Sequence, residues 1–285
     1  MAEKDLAEKK LEAYAEVFAD IFNVLLFKKE IIKPEQLLDG PTESVYKAES
    51  GSLKGQYRDT LKHYRNSTFS VASFGIENQS KIDADMPIRV LGYDYTSYHE
   101  QTVNGVKRFP VITIVLNFSN KKWDKPTSLK ELLEMPEELE PFVQDYRIYV
   151  FDIAHLEPGI IKQFKSTFKH VAHFFSNKEK EDYQPLNEEI KELDAFLDLL
   201  KVFTNDDRYE AIKAGLIEQQ QKGQVITMCT VVERFTSKGI EQGIEQGIER
   251  CVLNAYQKGK TPKEISEFLD IELEIVNDIV SRQSE

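Results

Sequence analysis

Residues 71–80 read VASFGIENQS, an apolar run that ends in polar residues. The run predicts a β-strand, on which side chains two positions apart point to the same face. Glu77 and Gln79 therefore share a face at the end of this strand. A buried carboxylate is costly unless it is paired or bound to a metal. Either this strand end is a solvated edge, or Glu77 and Gln79 belong to a functional site.

The preceding stretch, residues 56–64, predicts the partner strand of a hairpin and carries Asp59. On adjacent strands, the carboxylates of Asp59 and Glu77 can bind one Mg²⁺, with the backbone carbonyl of Asn78 as a third oxygen ligand. Mg²⁺ activates water for attack on phosphorus, and the amide of Gln79 can orient that water or support the phosphate. The alternative for Asp59 is an ordinary ion pair with Arg58 at the sheet edge.

The N-terminal region supplies a further candidate ligand. Apolar residues at three- and four-residue spacing predict a helix over residues 5–27. A carboxylate from this helix would steady the metal, and Asp20 or Glu16 could provide it.

The rest of the first 155 residues mixes strands with helices. The continuous apolar run VITIVLNF (111–118) predicts a strand that is covered on both faces. A helix is predicted over residues 87–103 and another strand over residues 145–154, and beyond about residue 160 the pattern is helical. This order predicts an α/β core of modest size, followed by an all-α extension.

Composition limits the possible functions. The chain has 285 residues, is 41% hydrophobic and carries a net charge of −12, which argues against a broad nucleic-acid surface. Residues 51–125 are the exception, because 11 Lys and Arg against 7 Asp and Glu give this segment +4. No apolar run approaches the length of a membrane span, so no membrane association is expected. Cys229 and Cys251 have no metal-ligand companions and predict a protein of the reducing cytoplasm.

The sequence GIEQGIEQGIER (239–250) is a four-residue repeat within a predicted helix. Glycine costs a helix about 1 kcal/mol relative to alanine, so three glycines need a reason. Close approach of a second helix, giving a homo-oligomer through Gly239–Ile248, is one. The alternative is a tandem slip in the gene that leaves a tolerated linker helix.

The last segment, residues 256–280, predicts two short helices. Thr261, Pro262 and Glu264 form a capping box at the start of the first, and the pattern resembles a small helix-turn-helix. The second helix carries three carboxylates, which suit DNA phosphates poorly. Packing or partner binding is therefore the favoured role.

Several stretches together resemble a known family. Asp59 followed by FGIENQSKIDADMPIR (74–89) resembles the PD-(D/E)XK nuclease superfamily in its E-x-Q variant, and more closely the recombination-promoting nucleases of the Rpn family, a "putative transposase" group. The stretches FADIFN (18–23), VITIVLNF (111–118) and DYRIYVFDIA (145–154) also match. The resemblance therefore spans most of the chain.

This resemblance implies a fold, an activity and a set of site residues. The fold is α/β, a restriction-endonuclease-like mixed sheet flanked by helices, in a core over 1–175, with a helical extension over 176–238 and a Gly-repeat helix plus small bundle over 239–285. The activity is Mg²⁺-dependent DNA endonuclease cleavage in recombination or mobile elements, with Mn²⁺ as a substitute ion. A weak or inactive nuclease-fold binding module is the alternative.

The implied metal ligands are Asp59, Glu77, the Asn78 carbonyl and the helix acid at Asp20 or Glu16. Gln79 stands where the superfamily usually has lysine, and a neutral amide stabilises developing negative charge less well. Lys81 or Lys62 could compensate, so slow cleavage is expected. The candidate contacts to phosphate are the basic residues Arg58, Lys62, Lys81 and Arg89.

Overall fold

The computed structural model describes residues 3–41, 43–47, 53–65 and 70–282. Within these ranges the strands are, in chain order, β1 (Leu37–Asp39), β2 (Glu43–Lys47), β3 (Leu53–Tyr57), β4 (Thr60–Arg65), β5 (Ser70–Gln79), β6 (Val111–Asn117) and β7 (Tyr149–Asp152). Five of them form the central sheet in the order β1-β4-β5-β6-β7, and β2 pairs with β3 in a separate ribbon. Strand β4 is antiparallel to β1 and β5, whereas β5, β6 and β7 are parallel. The sheet is therefore mixed, as predicted.

Helices cover the sheet and form the C-terminal region. In chain order they are α1 (Glu3–Glu12), α2 (Ala15–Ile21), α3 (Met86–Val103), α4 (Leu129–Leu132), α5 (Pro158–Ile161), α6 (Phe168–Asn177), α7 (Leu193–Thr204), α8 (Arg208–Gln221), α9 (Met228–Gln257), α10 (Pro262–Leu269) and α11 (Leu273–Ser281). The prediction of an α/β core with a helical C-terminal region is confirmed. No helix in the described ranges is both long and apolar enough to cross a membrane.

Strand β6 divides its side chains between two hydrophobic clusters. Ile114 and Leu116 lie in the large cluster formed with the N-terminal helices and with α6 to α9. Val115 points the other way and packs with Met86 and Val90 of α3. Because neighbouring residues of a strand face opposite sides, the sheet is covered on both faces at β6. This confirms the interpretation of the continuous apolar run.

The predicted helix over 5–27 is interrupted. It breaks at Ala13–Tyr14, which separates α1 from α2, and it continues after α2 as a π-helical turn over Phe22–Phe27. The turn ends at Lys28, which has a left-handed conformation, with φ of 55°. Asn23 explains the tight end, because its side chain bonds the backbone of Ile31 and Ile32. These long-range bonds replace a further turn of helix.

Two predicted strands are shorter than expected. Residues 56–64 do not form one strand, because the chain leaves β3 after Tyr57 and enters β4 at Thr60. The break contains Arg58, whose side chain is buried in an ion pair with Asp94 of α3. The predicted strand over 145–154 is reduced to β7, because Asp152 is followed by a 3₁₀ turn.

The helices predicted as an extension over 176–238 share the main hydrophobic cluster. Residues of α7, α8 and the start of α9, as far as Phe235, pack with α1, α2 and α6. Farther along α9 the chain leaves this cluster. A second cluster, centred on Val252, Ile265 and Val276, joins the end of α9 to α10 and α11. The predicted capping box of Thr261 and Glu264 starts α10.

The repeat of α9 lies between the two clusters. Ile240 and Ile244 are 60% and 58% exposed, so these two side chains are largely uncovered within this chain. A Cβ atom at Gly243 or Gly247 would meet no heavy atom within 4 Å, whereas one at Gly239 would lie 2.7 Å from the Arg208 guanidinium. Oligomerisation through the repeat stays a prediction.

Candidate metal and phosphate site

The candidate site lies where β5 passes the start of β4. In the antiparallel register Thr60 lies opposite Ile76, so Asp59 comes next to the residues that follow Ile76. Glu77 and Gln79 lie on the face under α3, since Glu77 contacts Arg89 of that helix. Asn78 lies on the opposite face, where it contacts Glu12 of α1. The strand end thus presents polar groups to both helices.

Asp59 is attached to the backbone of β5. Its Oδ2 atom accepts a hydrogen bond of 2.8 Å from the backbone N–H of Asn78. In an antiparallel ladder the N–H and C=O groups of one residue point to the same neighbouring strand. The Asn78 carbonyl therefore points to the side on which Asp59 lies. The other carboxylate oxygen of Asp59 is 3.6 Å from the ammonium of Lys9.

Glu77 is a buried acid, with 2% of its surface exposed. Its Oε1 atom accepts hydrogen bonds of 2.5 Å from Arg89 and 3.3 Å from Gln79. Its Oε2 atom is buried and has no hydrogen-bond partner among the described residues. Burial raises the pKa of Glu77 to about 8, the charge of Asp59 adds to this rise, and Arg89 and Arg58 oppose it. The protonated form of Glu77 is therefore favoured at neutral pH unless a cation binds beside it.

Glu12 is the helix acid of the site, and the sequence interpretation missed it. It is the last residue of α1 and is 3% exposed. Its carboxylate accepts hydrogen bonds of 2.6 Å from the Thr60 hydroxyl and 2.8 Å from the Asn78 side-chain amide. Burial is the main reason that the pKa of Glu12 is raised to about 8, and Asp59 adds to the rise. Glu12 thus holds Thr60, which follows Asp59, and Asn78, which follows Glu77.

The acids expected in this role, Asp20 and Glu16, lie elsewhere. Asp20 accepts hydrogen bonds from the backbone N–H groups of Lys165 and Ser166, at 2.8 and 2.7 Å, and so anchors the segment before α6. Glu16 is exposed. Both follow the break that separates α1 from α2, and that break contains no glycine or proline that could have signalled it. The only signal for Glu12 is its place beside Leu11 in the apolar stripe.

Two of the four candidate phosphate contacts are buried. Arg58 is 4% exposed and its Nη2 atom donates to Asp94 at 2.8 Å. Lys62 is 3% exposed and donates to the carbonyl of Ala13 and to Asp39. These contacts correct the prediction for both residues, since neither offers its charge at the surface. Arg58 lies against α3, and Lys62 lies against the end of α1.

Arg89 is the cation that contacts Glu77. Met86 is fully buried under the sheet and Pro87 lies in the first turn of α3, so this helix starts at a fixed point. One turn later the Arg89 guanidinium meets Glu77 through Nη2 and Asp83 through Nη1, at 2.5 and 2.8 Å. The Arg89 side chain is 39% exposed. It can therefore face both the buried acid and solvent. Lys81, the fourth candidate, is exposed.

A buried polar network centred on Asp94 holds Arg58 near Glu77. The Asp94 carboxylate accepts hydrogen bonds from Arg58, from the Thr113 hydroxyl at 2.6 Å and from the Tyr146 hydroxyl at 2.5 Å. Arg58 also attracts Glu77 electrostatically. Its aliphatic stem crosses Gly75, where a Cβ atom would lie 2.8 Å from Arg58 Cδ. Any larger residue at position 75 would clash with the Arg58 side chain in this position.

A protein-family model described as "Putative transposase, YhgA-like" matches residues 52–201, which is more than half of the chain. The chain belongs to this family. The YhgA-like family is the Rpn, PD-(D/E)XK-like group, so the resemblance noted in the sequence is confirmed. No curated protein and no solved structure shows a significant match. The match to the YhgA-like family covers Asp59, Glu77 and Gln79, whereas Glu12 precedes it.

The donor set of this YhgA-like chain suits a hard cation. No group of three or more His, Cys, Asp and Glu side chains in the described ranges is arranged to hold a metal ion. A cation here would instead meet the carboxylates of Asp59 and Glu77 and the Asn78 carbonyl, and Mg²⁺ commonly keeps waters in its remaining positions. The unpartnered Oε2 atom of Glu77 and its raised pKa fit such an ion.

The raised pKa of Glu12 predicts a pH-dependent stability. An acid whose pKa is higher in the folded state stabilises the fold below its unfolded pKa of 4.5, and this contribution is lost as pH rises through about 8. Each unit of difference is worth about 1.4 kcal/mol. We expect Glu12→Gln, which cannot ionise, to lose less unfolding free energy than wild type between pH 5 and pH 9. Urea unfolding in EDTA measures this difference.

The matched control is Glu16→Gln, which changes an exposed acid of the neighbouring helix. It should keep the pH dependence of the wild type. Equal pH dependence in Glu12→Gln and wild type would contradict the assignment of a buried, proton-retaining carboxyl at position 12.

Proposed function

We propose that this protein is a divalent-metal-dependent DNA endonuclease that hydrolyses phosphodiester bonds in recombination or in mobile elements. The observation that carries the proposal is that Asp59 lies beside the buried Glu77 at one end of the β4–β5 pair, where the Oε2 atom of Glu77 has no hydrogen-bond partner among the described residues. Membership of a family described as transposase supports DNA as the substrate.

In this proposal Asp59, Glu77 and the Asn78 carbonyl hold Mg²⁺, or Mn²⁺ in its place. When bound, the ion supplies Lewis-acid activation of water and of the scissile phosphate. Glu12 keeps the Asn78 side chain and Thr60 in position through its two hydrogen bonds. Asp59 is oriented by the Asn78 N–H group, and Glu77 by Arg89 and Gln79.

The positive charge that lysine usually provides is assigned to Arg89. Gln79 is neutral and donates to Glu77, whereas Arg89 carries its charge to the same carboxylate and is open to solvent. A guanidinium binds phosphate oxygens through two parallel hydrogen bonds, which suits a phosphate lying over Glu77. Exposed Lys81 would add a contact farther along the DNA backbone.

The second candidate is a nuclease-fold protein that binds DNA or a partner and cuts slowly or not at all. It is favoured by the ion pair of Arg89 and Glu77, because a guanidinium at 2.5 Å already neutralises the acid that a metal would use. The two candidates have the same fold, and they differ in whether the protein hydrolyses phosphodiester bonds at a measurable rate.

Plasmid nicking separates the two. Purified protein is incubated with supercoiled plasmid and Mg²⁺ or Mn²⁺, and the relaxed form is quantified over time. We expect slow nicking that EDTA abolishes and that Glu77→Gln reduces to the EDTA level, because the amide keeps the side-chain shape and removes the charge that holds the ion.

Glu138→Gln, which changes an exposed acid remote from the site, should nick at the wild-type rate. Circular dichroism of Glu77→Gln checks that its fold is retained. Wild-type protein that never nicks with either ion, while it still binds DNA in a gel-shift assay, would favour the non-cleaving candidate.

A further inference from the structure

A cavity opens on the same face of the sheet as Glu77. It measures about 420 Å³, within the usual range for small-ligand sites, and lies between the β4–β5 pair and the C-terminal end of α3. We call it the hairpin pocket; its walls include His63, Ser73, Ser97, Val106 and Phe109.

The position of the hairpin pocket relates it to the candidate site. Ser73 and Glu77 are four residues apart on β5, so they share a face and are separated by about 13 Å. His63 lies opposite Ser73 on β4, and its Nδ1 atom is 2.8 Å from the Ser73 hydroxyl oxygen. One strand of B-form DNA advances about 3.4 Å per nucleotide, so the pocket is about four nucleotides from Glu77.

The wall formed by residues 104–109 is held by the end of α3. The Gln101 side chain accepts a hydrogen bond of 2.9 Å from the Phe109 N–H group and donates one of 3.2 Å to the Phe109 carbonyl. Its backbone carbonyl accepts from Val106 at 3.1 Å. Gly105, with φ of 62°, makes the turn between them. This wall of the pocket is therefore held in place by α3.

Its lining combines aromatic rings with positive charge. The rings of His63 and Phe109 meet edge to face, with centroids 6.1 Å apart. Burial lowers the pKa of His63, so its ring is neutral at pH 7 and the charges are those of Arg65, Lys107 and Glu100. The pocket thus carries a net positive charge in a chain of net charge −12. Aromatic faces stack on bases, and Arg and Lys bind phosphate.

We propose that the hairpin pocket binds one nucleotide of the DNA strand at a distance from the bond that is cut, with its base against His63 and Phe109 and its phosphate near Arg65 and Lys107. That the bound DNA strand is also the strand that is cut rests on the proposed function. The binding of a nucleotide does not, because it uses residues outside the metal and phosphate site.

The test uses a tryptophan substitution at the edge of the hairpin pocket to block nucleotide binding. Val106, in the segment after α3, is 46% exposed and lines the pocket, so Val106→Trp places a large ring in it. Val103, the last residue of α3, is 70% exposed and does not line the pocket, so Val103→Trp is the matched variant. Deoxyadenosine 5′-monophosphate is titrated calorimetrically in EDTA, with deoxyribose 5-phosphate as the base-free comparison. Stacking of one base is worth about tenfold or more in affinity.

We expect wild type to bind the nucleotide about tenfold more tightly than the base-free phosphate, Val103→Trp to match it, and Val106→Trp to lose this preference. A labelled single-stranded oligonucleotide should lose affinity in Val106→Trp by a similar factor, and where nicking occurs its cut positions should shift.

Wild type that does not prefer the nucleotide, or Val106→Trp that binds it unchanged, would overturn the proposal. So would loss of the free nucleotide without any change for the oligonucleotide, because the pocket would then serve a free metabolite. If Glu77→Gln leaves nicking unaltered while these titrations behave as expected, the proposed function fails and the nucleotide pocket stands.

Discussion

Arg58→Met is expected to remove about 3–5 kcal/mol from the free energy of unfolding, because it leaves a buried carboxylate without its counter-ion. Arg58 and Asp94 are both almost fully buried and are joined at 2.8 Å. The Thr113 and Tyr146 hydroxyls would still donate to Asp94, but neither carries a charge. Urea unfolding followed by circular dichroism measures the loss.

The matched control is Arg147→Met, which breaks the exposed ion pair of Arg147 and Asp145 at 3.0 Å. Its unfolding free energy should stay close to that of wild type, since exposed pairs contribute little. The double variant Arg58→Met with Asp94→Asn should regain part of the loss, because the remaining partner is then neutral. Similar stability of Arg58→Met and Arg147→Met would contradict the role of a buried pair.

Arg89→Met is expected to lower the nicking rate at saturating Mg²⁺ by about 10²–10³, the usual effect of removing a donor that stabilises developing charge. Arg89 is the described cation that contacts Glu77 directly, and Gln79 cannot replace its charge. Arg89→Lys should retain part of the rate, because it keeps the charge and loses the paired hydrogen bonds. Single-turnover nicking gives these rates.

Arg89 occupies the Glu77 carboxylate that a metal would use, so its loss should strengthen Mg²⁺ binding even though the rate falls. Titrating Mg²⁺ in the nicking assay separates these two effects. Arg234→Met, which changes an exposed arginine of α9, serves as the control and should match wild type. An Arg89→Met protein that nicks faster than wild type would mean that the guanidinium blocks the metal position.

The local sequence pattern was sufficient to predict the strands in the middle of the sheet. The apolar runs of β5 and β6 were interpreted correctly as strands, because both strands are buried and pair with each other in a regular register. The start of α3 was also predictable, since Pro87 can occupy a first turn at no cost. These elements obey rules that act over a few residues.

The two breaks that shape the site were not predictable. The gap before β4 exists because Arg58 pairs with Asp94, which is 36 residues away. The gap after Glu12 has no local marker either, and it decides which acid of the N-terminal region meets Asp59. The pair of Glu77 and Gln79 was found because two-residue spacing on a strand is a local rule. Glu12 depends on tertiary packing, which a single sequence does not display.

The length of the exposed repeat of α9 sets the position of the C-terminal bundle. One GIEQ unit adds four residues to a helix that has 3.6 residues per turn and rises 1.5 Å per residue. Gaining or losing one unit would therefore shift the bundle by about 6 Å and rotate it by about 40°. Because Ile240 and Ile244 have little cover in this chain, the sheet and its acids would not be disturbed. A change in the number of repeat units would thus change the distance and the orientation of the bundle relative to the sheet.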